Sequence, residues 1–117
     1  MTYSDKVKAS QNIVNAINAL GNDEHIVVSY GTDYDGKPQR YRIKCSIYKS
    51  GKPSYSIHRD DVWAINGMNF SEISKTTAKA YTFDMMNQRS TYTFPLYDME
   101  LIDQPFLVKE NEMEFGG

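Results

Sequence analysis

Few residues in this chain could do chemistry. Cys45 and His58 are one candidate pair, since a thiol beside an imidazole makes a nucleophile with its base. His58, Asp60 and Asp61 form the densest acid–histidine cluster, the residue types that metal-dependent hydrolysis draws on. Asp33-Tyr34-Asp35-Gly36 has the opening of a calcium loop, but Lys37 and Lys44 stand where further oxygen ligands would be needed. One cysteine and two histidines are too few for a zinc site of the usual kinds. Five of the seven glycines are scattered singly and the other two stand together at 116–117, so no phosphate-cradling loop is present. The chain therefore reads as non-enzymatic, with no metal and no cofactor.

What remains is charge. From Gly36 to Arg59 stand Lys37, Arg40, Arg42, Lys44, Lys49, Lys52 and Arg59 with no acid between them. The chain has 13 basic and 15 acidic residues, so everything outside this block holds six basic against fifteen acidic. A net charge of −2 hides both halves. The cations alternate with apolar residues at the period of a strand, which gathers them on one sheet face. Cations in a row suit phosphates, and an acidic protein surface equally well.

The elements that must position them follow from periodicity. Residues 5–20 predict an amphipathic helix, with Ser4 as N-cap, Gly21 just past its end, and Val7, Ala9, Ile13, Val14, Ala16, Ile17 and Leu20 on the buried half. Lys8, Gln11, Asn12, Asn15 and Asn18 make the solvated half. A strand around 26–31 turns at Asp35-Gly36. A two-residue turn there sets Tyr30 opposite Tyr41, Val28 opposite Ile43 and Ile26 opposite Cys45. The second strand, 39–48, points Tyr41, Ile43, Cys45 and Ile47 inward and Arg40, Arg42, Lys44 and Tyr48 outward. A three- or five-residue loop at Ser50-Gly51-Lys52-Pro53 then pairs Ile47 with Tyr55 and Cys45 with Ile57, and adds Ser54, Ser56 and His58 to the basic face. This parity separates Cys45 from His58 onto opposite faces and sends Arg59 to the core side.

Asp60-Asp61 reads as a strand break, and Val62–Ile65 meets a second hairpin signal, Asn66-Gly67, before Met68-Asn69-Phe70. Residues 71–77 carry no clear period. A strand at 78–86 has Tyr81, Phe83 and Met85 on one side and Ala80, Thr82 and Asp84 on the other. Asn87–Ser90 turns it into a last strand, 91–102. There Pro95 marks an edge strand or a bulge, and the apolar parity changes along it.

The expected class is α+β: an N-terminal helix packed on a curved antiparallel meander of about five or six strands, open sheet or small barrel. Residues 1–108 form one domain, and 109–117 an acidic, flexible tail. One cysteine excludes an internal disulfide and suits a reducing cytoplasm. The first residues lack the apolar core of a signal peptide, and no run is long enough to span a membrane.

The functional expectation is a binding protein whose basic meander face, 24–59, contacts nucleic acid or an acidic protein surface through Lys37, Arg40, Arg42, Lys44, Tyr48, Lys49, Lys52 and His58. The alternative is an inhibitor or adaptor of the phage or mobile-element kind, acting on a host enzyme by protein–protein contact. The acidic tail could also meet the basic face of another copy, giving a homo-oligomer.

Overall fold

Thr2 starts the one long helix among the described residues. Its hydroxyl accepts from Asp5 N–H, and the Asp5 carboxylate accepts from Thr2 N–H, a reciprocal capping box. The helix, α1, therefore runs Tyr3–Asn18 and begins two residues before the Ser4 cap expected from sequence. The computed structural model describes residues 1–59, 67–102 and the strand at 108–109. Eight strands follow α1: β1 Glu24–Thr32, β2 Pro38–Ile47, β3 Pro53–Arg59, β4 Met68–Ile73, β5 Thr77–Phe83, β6 Arg89–Pro95, β7 Glu100–Leu101 and β8 Val108–Lys109. All pairings are antiparallel, in the order β6-β5-β4-β3-β2-β1-β7, with β8 also on β1. The class is as expected, one helix on a strongly curved antiparallel sheet, with more strands than the sequence suggested. The run Asp60–Asn66, including Val62–Ile65, lies outside the described residues, as do 110–117.

The concave face holds the core. Ile13, Ile17 and Leu20 of α1 pack on Ile26, Val28, Ile43, Cys45, Ile57, Ala78, Ala80 and Phe94. Curvature is visible in one ring cluster: Phe94 of β6 lies 6.0 Å from Tyr30 of β1, and 6.4 Å from both Tyr41 of β2 and Phe70 of β4. Strands far apart in sheet order meet inside the half-barrel.

Each predicted register is displaced by two residues. Val28 faces Tyr41 and Ile26 faces Ile43; Cys45 faces Tyr55 and Ile43 faces Ile57. The reason is the turns. At 33–37, Gly36 N–H donates to Asp33 C=O and Asp33 N–H to Lys37 C=O, which leaves a three-residue loop with Gly36 at φ 76°. The Asp33 carboxylate holds it by accepting from both Asp35 and Lys37 N–H at 2.9 Å. A register shift between Ser29 and Thr32, with Gly31 at φ 69°, supplies the second residue of displacement. The 48–52 turn repeats the three-residue form with Gly51 in the left-handed position. A shift of two preserves parity, so the strands keep their expected faces, but Ile47, expected inward, is 40% exposed because it lies at the end of β2 beyond the core.

The β5–β6 turn is the same device again, at 84–88 rather than 87–90. The Asp84 carboxylate accepts from Met86 and Gln88 N–H, and Asn87 takes φ 64°. The strand expected at 91–102 divides in three. Pro95 ends β6, a sheet edge as anticipated, and Leu96–Asp98 forms a 3-10 helix; the chain then crosses to the other edge as β7 on β1. The change in apolar parity is this crossover, not a bulge. The ambiguous 71–77 stretch finishes β4 and turns at Ser74–Thr76, where Ser74 Oγ accepts from Thr77 N–H.

Candidate nucleic-acid interface

The convex face opposite α1 gathers most of the sequence-predicted residues. Arg40 is exposed opposite Ser29; Arg42 lies half-buried between Val27 and His58; Lys44 lies between His25 and Ser56. Alternation along β2 sets the three cations in line. Lys44 Nζ stands 4.0 Å from Asp23 Oδ1, an exposed pair of little energetic weight. Lys37 sits exposed in the first turn, and Lys49 and Lys52 in the second, at the opposite end of the sheet. Tyr48, 61% exposed, stands at the base of that second turn. Arg59 follows its expected parity, opposite Tyr41, with Nη2 donating to Gln39 Oε1 at 3.1 Å.

His58 is half-buried beside Arg42. Burial, with the charges of Arg42 and Lys44, pushes its pKa below the ordinary histidine value, so it is neutral near pH 7. Gly67 lies flat against the imidazole, with no room for a side chain between them. Cys45 is fully buried on the other face, and burial first, then Glu24 and Asp23, raises its thiol pKa. The Cys45–His58 dyad is excluded by geometry, since the two side chains stand on opposite faces of the sheet. Among the described residues no cluster of His, Cys, Asp and Glu could hold a metal, and Asp60 and Asp61 lie outside them.

Part of this face was not legible in the sequence. One row of paired residues runs Lys44, Ser56, Asn69, Tyr81, Thr91 from β2 to β6. Arg89 lies over the Tyr81 ring, 4.4 Å from its centroid, and Phe83 packs edge-on to Tyr81 at 5.8 Å. A cation strip and an aromatic group thus flank a floor of Ser56 and Asn69, about 14 Å apart across three strand spacings. Sequence alternation put Tyr81 and Phe83 on one side of β5 without saying which side faced out. The decisive signal is that Ala78 and Ala80, both fully buried, occupy the core side. At its β1 margin the face closes: His25 and Val27 are buried, and Glu100 pairs beside Ser29 in the Arg40 row.

Comparison with protein-family models, with curated proteins and with solved structures finds no match to this chain. No described helix is long and apolar enough to cross a membrane.

Proposed function

We propose that the convex face binds single-stranded nucleic acid and does no chemistry on it. The observation that carries this reading is the Lys44–Ser56–Asn69–Tyr81 row, with Arg42 at one end and Arg89 and Phe83 at the other. Phosphates need cations in a line, and unpaired bases need an aromatic surface on which to stack. Small polar residues between the two leave space for a strand to lie down. An acidic protein surface would use the cations but would have no particular need of the Tyr81 platform, so the nucleic-acid reading accounts for more of the face.

Fluorescence anisotropy with a labelled oligonucleotide tests it. Affinity should fall with salt, by a slope of about 0.7 per phosphate contacted. Arg42→Glu with Lys44→Glu should reduce affinity about tenfold or more and flatten that slope. Full affinity retained by the double variant would sink the reading. A stoichiometric protein complex from nuclease-treated lysate, lost in the same variant, would move the assignment to an acidic protein partner.

A further inference from the structure

The β5–β6 hairpin is built differently from the rest of the sheet. Arg89 to Thr93 are all exposed, although they alternate between the two faces. Four large apolar side chains stand out on this one hairpin: Phe83, Met85, Met86 and Tyr92, with Tyr92 51% exposed although it shares the core side of β6 with buried Phe94. Single exposed apolar residues need no explanation, but a cluster beside an open sheet edge does.

The hydrogen-bond alternation says what that edge offers. Asp84 N–H donates to Gln88 C=O at 3.0 Å, and Leu96 N–H to Thr76 C=O at 2.9 Å. In the intervening register, Ser90, Tyr92 and Phe94 exchange hydrogen bonds with Thr82, Ala80 and Ala78 of β5. Arg89, Thr91 and Thr93 therefore turn their peptide groups outward, where no described strand receives them. Natural edge strands are usually blunted by Lys, Pro or a bulge. Here Ser90 to Phe94 hold none of these, and Pro95 guards only the last position.

We propose that β6 pairs with β6 of a second copy, antiparallel about a two-fold axis at Tyr92. The opposite edge of the sheet decides the kind of partner. There β1 is already taken by β7 and β8, each only two residues long, so among the described strands β6 is the one long open edge. Two identical long edges close on each other as a dimer, whereas head-to-tail growth would have to pair seven residues of β6 with two-residue strands. Tyr92 is the midpoint of Arg89–Pro95, so this centre gives full overlap of the strand. Thr91 then lies opposite Thr93 of the second copy, and each pair exchanges both its hydrogen bonds. Arg89 lies opposite Pro95 of the second copy, which keeps the two cations apart and puts the missing proline donor at the periphery. The two Tyr92 rings meet, and the two Tyr81–Arg89 groups come to lie on one continuous convex surface.

Light scattering across a concentration series should show mass rising to twice that of the chain, and Tyr92→Lys should return it to one, with an unchanged circular-dichroism spectrum. The register has its own test, with buried Cys45 left in place. Tyr92→Cys should cross-link to itself under mild oxidation, because a non-hydrogen-bonded antiparallel pair has Cα atoms about 4.5 Å apart, within disulfide reach. Thr93→Cys should not, because it faces residue 91 of the other copy. A single-chain mass at every concentration would overturn the proposal. So would a dimer that survives Tyr92→Lys, or equal cross-linking by the two cysteine variants.

Discussion

The two halves of the sheet solve the same problem in opposite ways. Strands β1 to β3 put large residues inward (Ile26, Val28, Ile43 and Ile57, each at most 3% exposed) and send cations outward. Strands β4 to β6 put Ala78 and Ala80 inward at β5 and send Tyr81 and Phe83 outward. The first half is held by a ladder running from Tyr41↔Arg59 to Ile47↔Pro53. Among the described residues the join between the halves is short, Ser56↔Asn69 and Ile57↔Met68. Past it a cleft of about 320 Å³ opens, lined by Tyr48, Lys52, Tyr55, Phe70 and Ile73. Pro53 can donate no hydrogen bond to a neighbour, and the irregularity between Phe70 and Glu72 re-aims β4, so pairing stops there. Bulk inside goes with charge outside in one half. In the other, Phe70 and Phe94 fill the inside from β4 and β6, while β5 turns its alanines inward and its aromatics out.

The largest expected effect tests that asymmetry in the core. Ile43→Ala should cost about 2 to 5 kcal/mol in urea unfolding, because a fully buried branched side chain leaves a cavity under α1. Removal of the Tyr81 ring on the other half should leave the unfolding midpoint nearly unchanged. Its effect belongs to binding: Tyr81→Ala should weaken oligonucleotide affinity by about 1 to 3 kcal/mol without changing the salt slope. Because Tyr81 is remote from Arg42 and Lys44, its loss should add to theirs in a combined variant. A salt slope that falls with Tyr81→Ala would mean the two regions do not divide stacking from charge.

The join can be broken by one methyl group. A Cβ at Gly67 would clash with the His58 ring, so Gly67→Ala must displace the imidazole. A loss of about 1 to 3 kcal/mol in thermal or urea unfolding is expected, recovered in large part by His58→Ala in the same chain. Lack of recovery would place the strain elsewhere.

The smallest effect is one of pH. The folded His58 binds its proton less readily than the unfolded residue, whose reference value is 6.5. Below that value the unfolded chain therefore takes up more protons. The stability contributed by neutral His58 is present above pH 6.5 and is lost as pH falls through the lower folded pKa. His58→Gln should flatten the urea midpoint against pH in that acidic window and leave it unchanged above neutrality.

How much of this was readable from residues alone divides along the same line. Parity was readable: alternation assigned Arg40, Arg42, Lys44, Ser56 and His58 to one face, and the face holds them. Register was not, since a shift of two residues leaves every polar and apolar position matched. Asp35-Gly36 suits a two-residue turn by composition, and only the second role of Asp33, holding two amides, selects the longer loop. The Tyr81–Arg89 contact depends on where the β5–β6 turn falls, and that was set by Asp84 in the same way. The helix start was missed because Thr2 and Ser4 are both competent caps, and the reciprocal Asp5 bond favours the earlier one.

The crossover from β6 to β7 bears on how the molecule is made. Leu96, fully buried, and Met99 pack in the core shared with α1, and Lys6 lies over the Tyr97 ring at 5.0 Å. The helix α1 therefore waits for a segment made much later, residues 96–101, before it is locked. Until residues 96–101 are translated, its apolar stripe has only the open side of an unfinished meander to rest on. A nascent chain halted before Leu96 should expose that stripe to proteases and chaperones, and release of the remaining residues should bury it in one late, cooperative step.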